Sequence, residues 1–179
     1  MEKSVLNQEP FTSFFLIGFM ASGKSSYGRK AAKRLALPFI DLDSEIEEAV
    51  GMSIPELFQK QGEEAFRTTE RETLKRLLPH PGIISLGGGT VCSEGIWPLL
   101  KANGITVFLD MPFEQCLGRL RTSKKVRPLA ENLEDKTAVE KLRALYEKRR
   151  AIYTLADHKI SFPYDHSILA TKLSSWMKA

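Results

Sequence analysis

Residues Phe14-Phe15-Leu16-Ile17 form a short apolar run, followed by Gly18-Phe19-Met20-Ala21-Ser22-Gly23-Lys24-Ser25 and a stretch of good helix formers. The spacing Gly-x-x-x-x-Gly-Lys-Ser between a strand and a helix is the context that a phosphate-cradling loop requires. Successive loop N–H groups can turn inward around a phosphate chain, and the helix that starts near Lys24 adds its positive dipole end. Gly18, Met20, Ala21, Ser22, Gly23, Lys24, Ser25 and Ser26 are therefore the candidate nucleotide-contacting residues. Lys24 is expected at the β- and γ-phosphates as a point charge, and the Ser25 hydroxyl on Mg²⁺. The feature implies ATP as cosubstrate, and the rest of the chain can be asked what it brings to the γ-phosphate.

Alternation of short apolar strands with helical patterns predicts an α/β fold with a parallel sheet covered on both faces. Strands are expected at 14–17, Pro38 to Asp43, Ile83 to Leu86, Ile105 to Asp110 and Lys159 to Phe162. Helices are expected at Ser25 to Leu37, Ser44 to Val50, Ser53 to Leu78 with a break at Gly62, Ser93 to Lys101, Pro112 to Arg121, Asp135 to Leu155 and Ser167 to Lys178. Ligands in such sheets bind beyond the C-terminal strand ends. The Gly-rich loop, the pair Asp41 and Asp43, and Gly87-Gly88-Gly89 all fall there. A chain of 179 residues suits one domain: a flexible lead-in at 1–12 and a single domain over 13–179.

Charge and composition narrow the function classes. The net charge of +4 fits a handler of anions and is too small to argue for nucleic acid. Cys92 and Cys116 have no metal spacing, so reduced cytosolic thiols are the default. The N-terminus lacks the apolar core of a signal peptide, and no run approaches the length of a membrane span. The expectation is a cytoplasmic monomer acting on a small molecule, without nucleic-acid or membrane partners.

Several residues remain open to two readings. Asp41 and Asp43, two apart, share one face of an extended strand; one suits Mg²⁺ and the other the acceptor hydroxyl, or Asp43 merely opens the next helix. Glu63, Arg67 and Glu70 make either a solvated charged face or a fork in which Glu70 orients Arg67 toward an acidic substrate. Gly87, Gly88 and Gly89 either form a flexible turn or let bare backbone approach a ligand. The cationic segment from Arg121 to Arg127 is a solvated loop, a nucleic-acid patch, or a lid over about 121–134 with Arg127 neutralising the transferred group. Periodicity does not say which cation of the helix carrying Lys141, Arg143, Lys148, Arg149 and Arg150 turns inward.

The ordered set Gly-x-x-x-x-Gly-Lys-Ser, Asp41-Leu42-Asp43, Phe66-Arg67-x-x-Glu70, Leu86-Gly87-Gly88-Gly89, Val126-Arg127-Pro128-Leu129 and Arg149-x-x-x-Tyr153 resembles the shikimate kinases across nearly the whole chain. That resemblance implies a three-layer αβα kinase of the nucleoside-monophosphate-kinase type, with a five-stranded parallel sheet and a mobile lid. It implies transfer of the γ-phosphate of ATP to the 3-hydroxyl of shikimate, with Mg²⁺, in aromatic amino-acid biosynthesis. By position it assigns Ser25 and Asp41 to the metal, and Asp43, Lys24 and Arg127 to catalysis. Arg67, Arg149 and the Gly87–Gly89 backbone fall to shikimate, and Arg121 to the adenine. The alternatives are a kinase for another small hydroxy acid such as gluconate, or an ATP-binding module without an acceptor. The chain departs from the family pattern at Ala21, where Gly is usual and a negative φ is expected, and in a lid one residue shorter between Arg121 and Arg127.

Overall fold

A computed structural model describes residues 13–123, 130 and 132–177. Within them the strands are β1 (Ser13–Ile17), β2 (Phe39–Asp41), β3 (Ile83–Ser85), β4 (Gly104–Asp110) and β5 (His158–Ser161). They pair in parallel in the order β2-β3-β1-β4-β5. The helices are α1 (Lys24–Leu35), α2 (Leu42–Val50), α3 (Ile54–Leu77), α4 (Ile96–Asn103), α5 (Phe113–Thr122), α6 (Lys136–Tyr153) and α7 (His166–Trp176). The crossover from β1 through α1 runs toward β2, and that from β3 through α4 runs the other way. Right-handed crossovers in opposite directions put their helices on opposite faces, giving the expected three layers. The reversal leaves a crevice above the end of β1.

β1 is buried at every position because it lies at the centre of the sheet. Phe14, Phe15, Leu16 and Ile17 join Ile83, Ile84, Val107 and Leu109 in the core. Ser53 and Glu56 form a reciprocal capping box at the start of α3. Gly62, at φ 83° and ψ 177°, interrupts that helix where the sequence predicts a break. Among the described residues no helix is long and apolar enough to cross a membrane.

Three expectations need correction. The second strand stops at Asp41 rather than running to Asp43. Asp41 is the N-cap of α2 and its carboxylate accepts from the Ser44 N–H at 3.4 Å, which turns the chain helical at Leu42. Asp41 and Asp43 therefore do not share a strand face; Asp43 sits in the first turn of a helix. The helix predicted from Ser93 begins only at Ile96, after a 3-10 turn at Thr90–Cys92 and Gly95 at φ 77°. Ala21, finally, adopts φ 61° instead of a negative value. The left-handed conformation costs an L-residue about 1–2 kcal/mol, so the surroundings must hold it there. The lead-in at 1–12 lies outside the described residues.

Candidate active site

The phosphate loop folds as its glycines demand. Gly18 has φ 149°, and a Cβ there would lie 2.8 Å from the Leu109 carbonyl oxygen. The Ser22 N–H donates to the Phe19 carbonyl at 3.2 Å, closing a turn through Met20 and Ala21. Gly23 has no side chain to cap α1, and no acidic residue occupies the first turn of that helix. The first N–H groups of α1 are thus left for an anion. Lys24, 8% exposed, donates from Nζ to the carbonyls of Gly18 at 2.8 Å and Phe19 at 2.9 Å. Its ammonium is held at the mouth of the loop, where a phosphate oxygen would replace a carbonyl. Ser22 Oγ is buried without a hydrogen-bond partner among the described residues, and Ser26 is exposed.

Ser25 and Asp41 come together through the sheet. The Ser25 hydroxyl is 3.2 Å from that of Ser85, and Ser85 is the register partner of Asp41 across β3 and β2. A hydroxyl on the first turn of α1 and a carboxylate at the end of β2 are the kind of hard oxygen donors that suit Mg²⁺.

The acceptor side is assembled on the glycine run. A Cβ on Gly87 would lie 2.9 Å from Asp43 Oδ1 and 3.0 Å from the Thr90 hydroxyl. One on Gly88 would lie 3.6 Å from Arg149 Nη1, and equally far from the Gly18 carbonyl oxygen and the Met20 nitrogen. One on Gly89 would lie 3.0 Å from Arg67 Nη2 and 3.1 Å from Arg149 Nη2. The run therefore bridges the carboxylate of Asp43, the two guanidinium groups and the rim of the phosphate loop. A side chain on Gly87 or Gly89 would press on the ends of Asp43, Arg67 and Arg149, whereas one on Gly88 would meet its neighbours at ordinary contact distance.

Arg67 is held between an exposed and a buried carboxylate. Its Nη1 donates to Glu70 at 2.8 Å and its Nη2 to Glu63 at 3.4 Å. Glu70 is 1% exposed and also accepts from the Thr90 hydroxyl at 2.6 Å. Burial works against the Arg67 charge, but Glu70 and then Glu63 outweigh it and hold its pKa above the ordinary value. The fully buried Tyr153 hydroxyl donates to the Gly88 carbonyl. Burial raises its pKa far above the usual phenol range, so it remains a donor.

Two adjacent arginines of α6 diverge. Arg149 faces Gly88 and Gly89, whereas Arg150 makes a two-point ion pair with Asp110, Nε to Oδ1 at 3.0 Å and Nη2 to Oδ2 at 2.8 Å. Arg121 donates to the Leu133 carbonyl at 2.9 Å and lies 3.9 Å from Glu134. Arg127 lies outside the described residues, as do Lys124, Lys125 and half of the segment expected to be a lid. Sequence reasoning gave no role to Thr90, Ser85 or Tyr153, although the last stands inside a quoted motif. It also passed over Arg119, which reaches the phosphate loop. Each acts through a contact distant in the chain, for which local pattern carries no signal.

Comparison with known proteins adds to this geometry. The shikimate kinase family model matches residues 20–177. The chain is 43% identical over 147 residues to the shikimate kinase of Aquifex aeolicus, covering 82% of this chain and 84% of that one. Its fold is similar to the shikimate kinase of Bacteroides thetaiotaomicron, with a TM-score of 0.85 at 31% identity over 94% of this chain and 99% of that one. It is also similar to the shikimate kinase of Acinetobacter baumannii solved with shikimate, with a TM-score of 0.82 at 34% identity over 95% and 94%.

Proposed function

Since the chain belongs to the shikimate kinase family, we propose that its phosphate loop and glycine run are the two halves of one phosphoryl-transfer site, with Asp43 at the acceptor. The reaction moves the γ-phosphate of ATP to the 3-hydroxyl of shikimate and yields shikimate 3-phosphate and ADP, within aromatic amino-acid biosynthesis. The observation that carries the assignment of roles is the meeting of Asp43, Arg67 and Arg149 on Gly87–Gly89 beside the mouth of the phosphate loop.

In this reading Arg67 and Arg149 take the shikimate carboxylate between two guanidinium groups, a geometry that matches a planar anion. Glu70 keeps Arg67 in place, and Thr90 and Tyr153 steady Glu70 and the Gly88 peptide. Gly88 and Gly89 let the substrate ring approach the backbone. Asp43 accepts a hydrogen bond from the 3-hydroxyl and aims it. A loose phosphoryl transition state needs little early deprotonation, so aiming matters more than basicity. Lys24 and Arg127 stabilise charge on the transferring group, the larger contribution. Ser25 and Asp41 would hold Mg²⁺, which when bound neutralises charge on the β- and γ-oxygens.

The segment around 121–134 acts as the lid, with Arg121 on its nucleotide flank. The domain over 13–179 works as a cytoplasmic monomer on a small molecule, without nucleic acid. ADP release from ATP, measured with shikimate, with gluconate and with no acceptor, tests the reading. Release that depends on shikimate alone is expected; equal release without acceptor would leave an ATP-hydrolysing module instead.

A further inference from the structure

Two carbonyls at the apex of the phosphate loop are gripped from outside it. Arg119, on α5, donates from Nη1 to the Ala21 carbonyl at 3.3 Å and from Nη2 to the Tyr27 hydroxyl at 2.8 Å. Its guanidinium also lies 5.5 Å from the Tyr27 ring centroid. The Tyr27 ring covers Gly23 so closely that a Cβ there would lie 2.5 Å from Cδ2. It meets the Tyr164 ring edge-on, with centroids 5.9 Å apart at 85°. Tyr164, 4% exposed, donates its hydroxyl to the Ser22 carbonyl at 2.9 Å. Burial raises the Tyr164 pKa far above the usual phenol range, so the hydroxyl keeps its proton.

The geometry of the peptide unit gives these contacts a consequence. In a trans peptide the C=O and the following N–H point in opposite directions. Drawing the Ser22 carbonyl outward aims the Gly23 N–H toward the inside of the loop. Drawing the Ala21 carbonyl outward does the same for the Ser22 N–H, which donates to Phe19 across the turn. Ala21 sits in a left-handed conformation that costs an L-residue about 1–2 kcal/mol. Rotation of the flanking peptides would relieve that cost and turn the amides away.

We propose that Arg119, Tyr27 and Tyr164 form a brace that holds the phosphate-loop amides in their nucleotide-binding orientation against the strain at Ala21. The three are positioning residues; none is placed on the reacting atoms. The proposal deepens the reading of residues 18–25 as a nucleotide loop and rests on it.

The test is calorimetric titration of ADP, with steady-state KM values for ATP and shikimate, on the whole chain and on Tyr164→Phe, Arg119→Gln and Tyr164→Phe combined with Ala21→Gly. Tyr164→Phe keeps the ring and removes one buried hydrogen bond, so ADP affinity should fall about five- to tenfold. The KM for shikimate should stay within about twofold, because the brace acts on the Ala21 and Ser22 carbonyls and not on the glycine run. Arg119→Gln should act in the same direction. Adding Ala21→Gly should restore about half of the lost affinity or more, since glycine holds a positive φ without the Cβ penalty. A purely structural role would lower the melting temperature without splitting the two substrates and without that rescue. Unchanged ADP affinity in both single variants, or equal losses for ADP and shikimate, overturns the brace alone. Failure of the unaltered chain to bind ADP overturns the nucleotide-loop reading and the brace with it.

Discussion

The phosphate loop takes its turning residues from one stretch, Gly18 to Gly23, whereas the acceptor side draws on four. Asp43 comes from α2, Arg67 from α3, Gly87–Gly89 from the end of β3 and Arg149 from α6. The first half works with peptide N–H groups whose placement follows from backbone angles. The second works with long side chains that must be caught and held by partners remote in sequence. The backbone half leans on remote side chains only at the Ala21 and Ser22 carbonyls; the side-chain half depends on them throughout.

Variants can break each half separately. Removing the cation in Lys24→Met should cost the most, about a thousandfold in kcat/KM, because the charge acts on phosphate in both ground and transition states. ADP affinity should fall with it. Asp43→Asn should reduce kcat about a hundredfold, the scale of a lost hydroxyl-orienting group, while ADP affinity stays within about twofold. Near-normal turnover in that variant would remove Asp43 from the chemistry.

Glu70→Gln should raise the KM for shikimate about tenfold, since Arg67 then loses its buried anionic partner, and leave the KM for ATP unchanged. A matching rise for ATP would show that the halves are not independent. Gly89→Ala should raise the shikimate KM only a few-fold. The atoms it would press on are the ends of the Arg67 and Arg149 side chains, which can give way.

The smallest effect belongs to a carboxylate outside both halves. Asp157 ties the edge of the sheet, accepting from the Thr106 N–H at 2.8 Å and from its hydroxyl at 2.6 Å, and pairing with Lys101. Burial pushes its pKa up, but the hydrogen bonds from Lys101 and Thr106 prevail and hold it below the ordinary carboxylate value. The unfolded chain therefore takes up this proton first as the pH falls. The stability that Asp157 adds is present above about pH 4 and is lost as the pH drops through its folded-state value. Melting curves of Asp157→Asn should run below those of the unaltered chain near neutrality and converge with them at strongly acid pH. The kinetic constants should not move.

The comparison also explains what could be read in advance. Gly18, Gly23, Lys24 and Ser25 fall within one stretch of eight residues, and strand, loop and helix each leave a local signature, so the nucleotide half is legible directly. Element order is legible for the same reason, with boundaries a few residues off. Asp43 lies in a helix and not on the expected strand because strand alternation and helix capping compete at Asp41, and its bond to the Ser44 N–H decides it. Arg67 was ambiguous because i,i+3 and i,i+4 pairing to Glu70 and Glu63 looks alike on a solvated face and beside a pocket. The burial of Glu70, capped by Thr90 from another segment, separates the two.

By itself, then, the sequence determined a phosphate loop on a central buried strand, a parallel α/β sheet, and a rim carrying carboxylates, glycines and cations. Those follow from period, spacing and the conformational range of glycine, all properties of neighbouring residues. Only the tertiary structure decided that Arg149 turns toward Gly88 and Gly89 while Arg150 pairs with Asp110, and that Ala21 is left-handed with Arg119 and Tyr164 on the neighbouring carbonyls. These outcomes depend on which distant groups the sheet register and the crossovers bring within hydrogen-bond reach, and no stretch of chain contains that information alone.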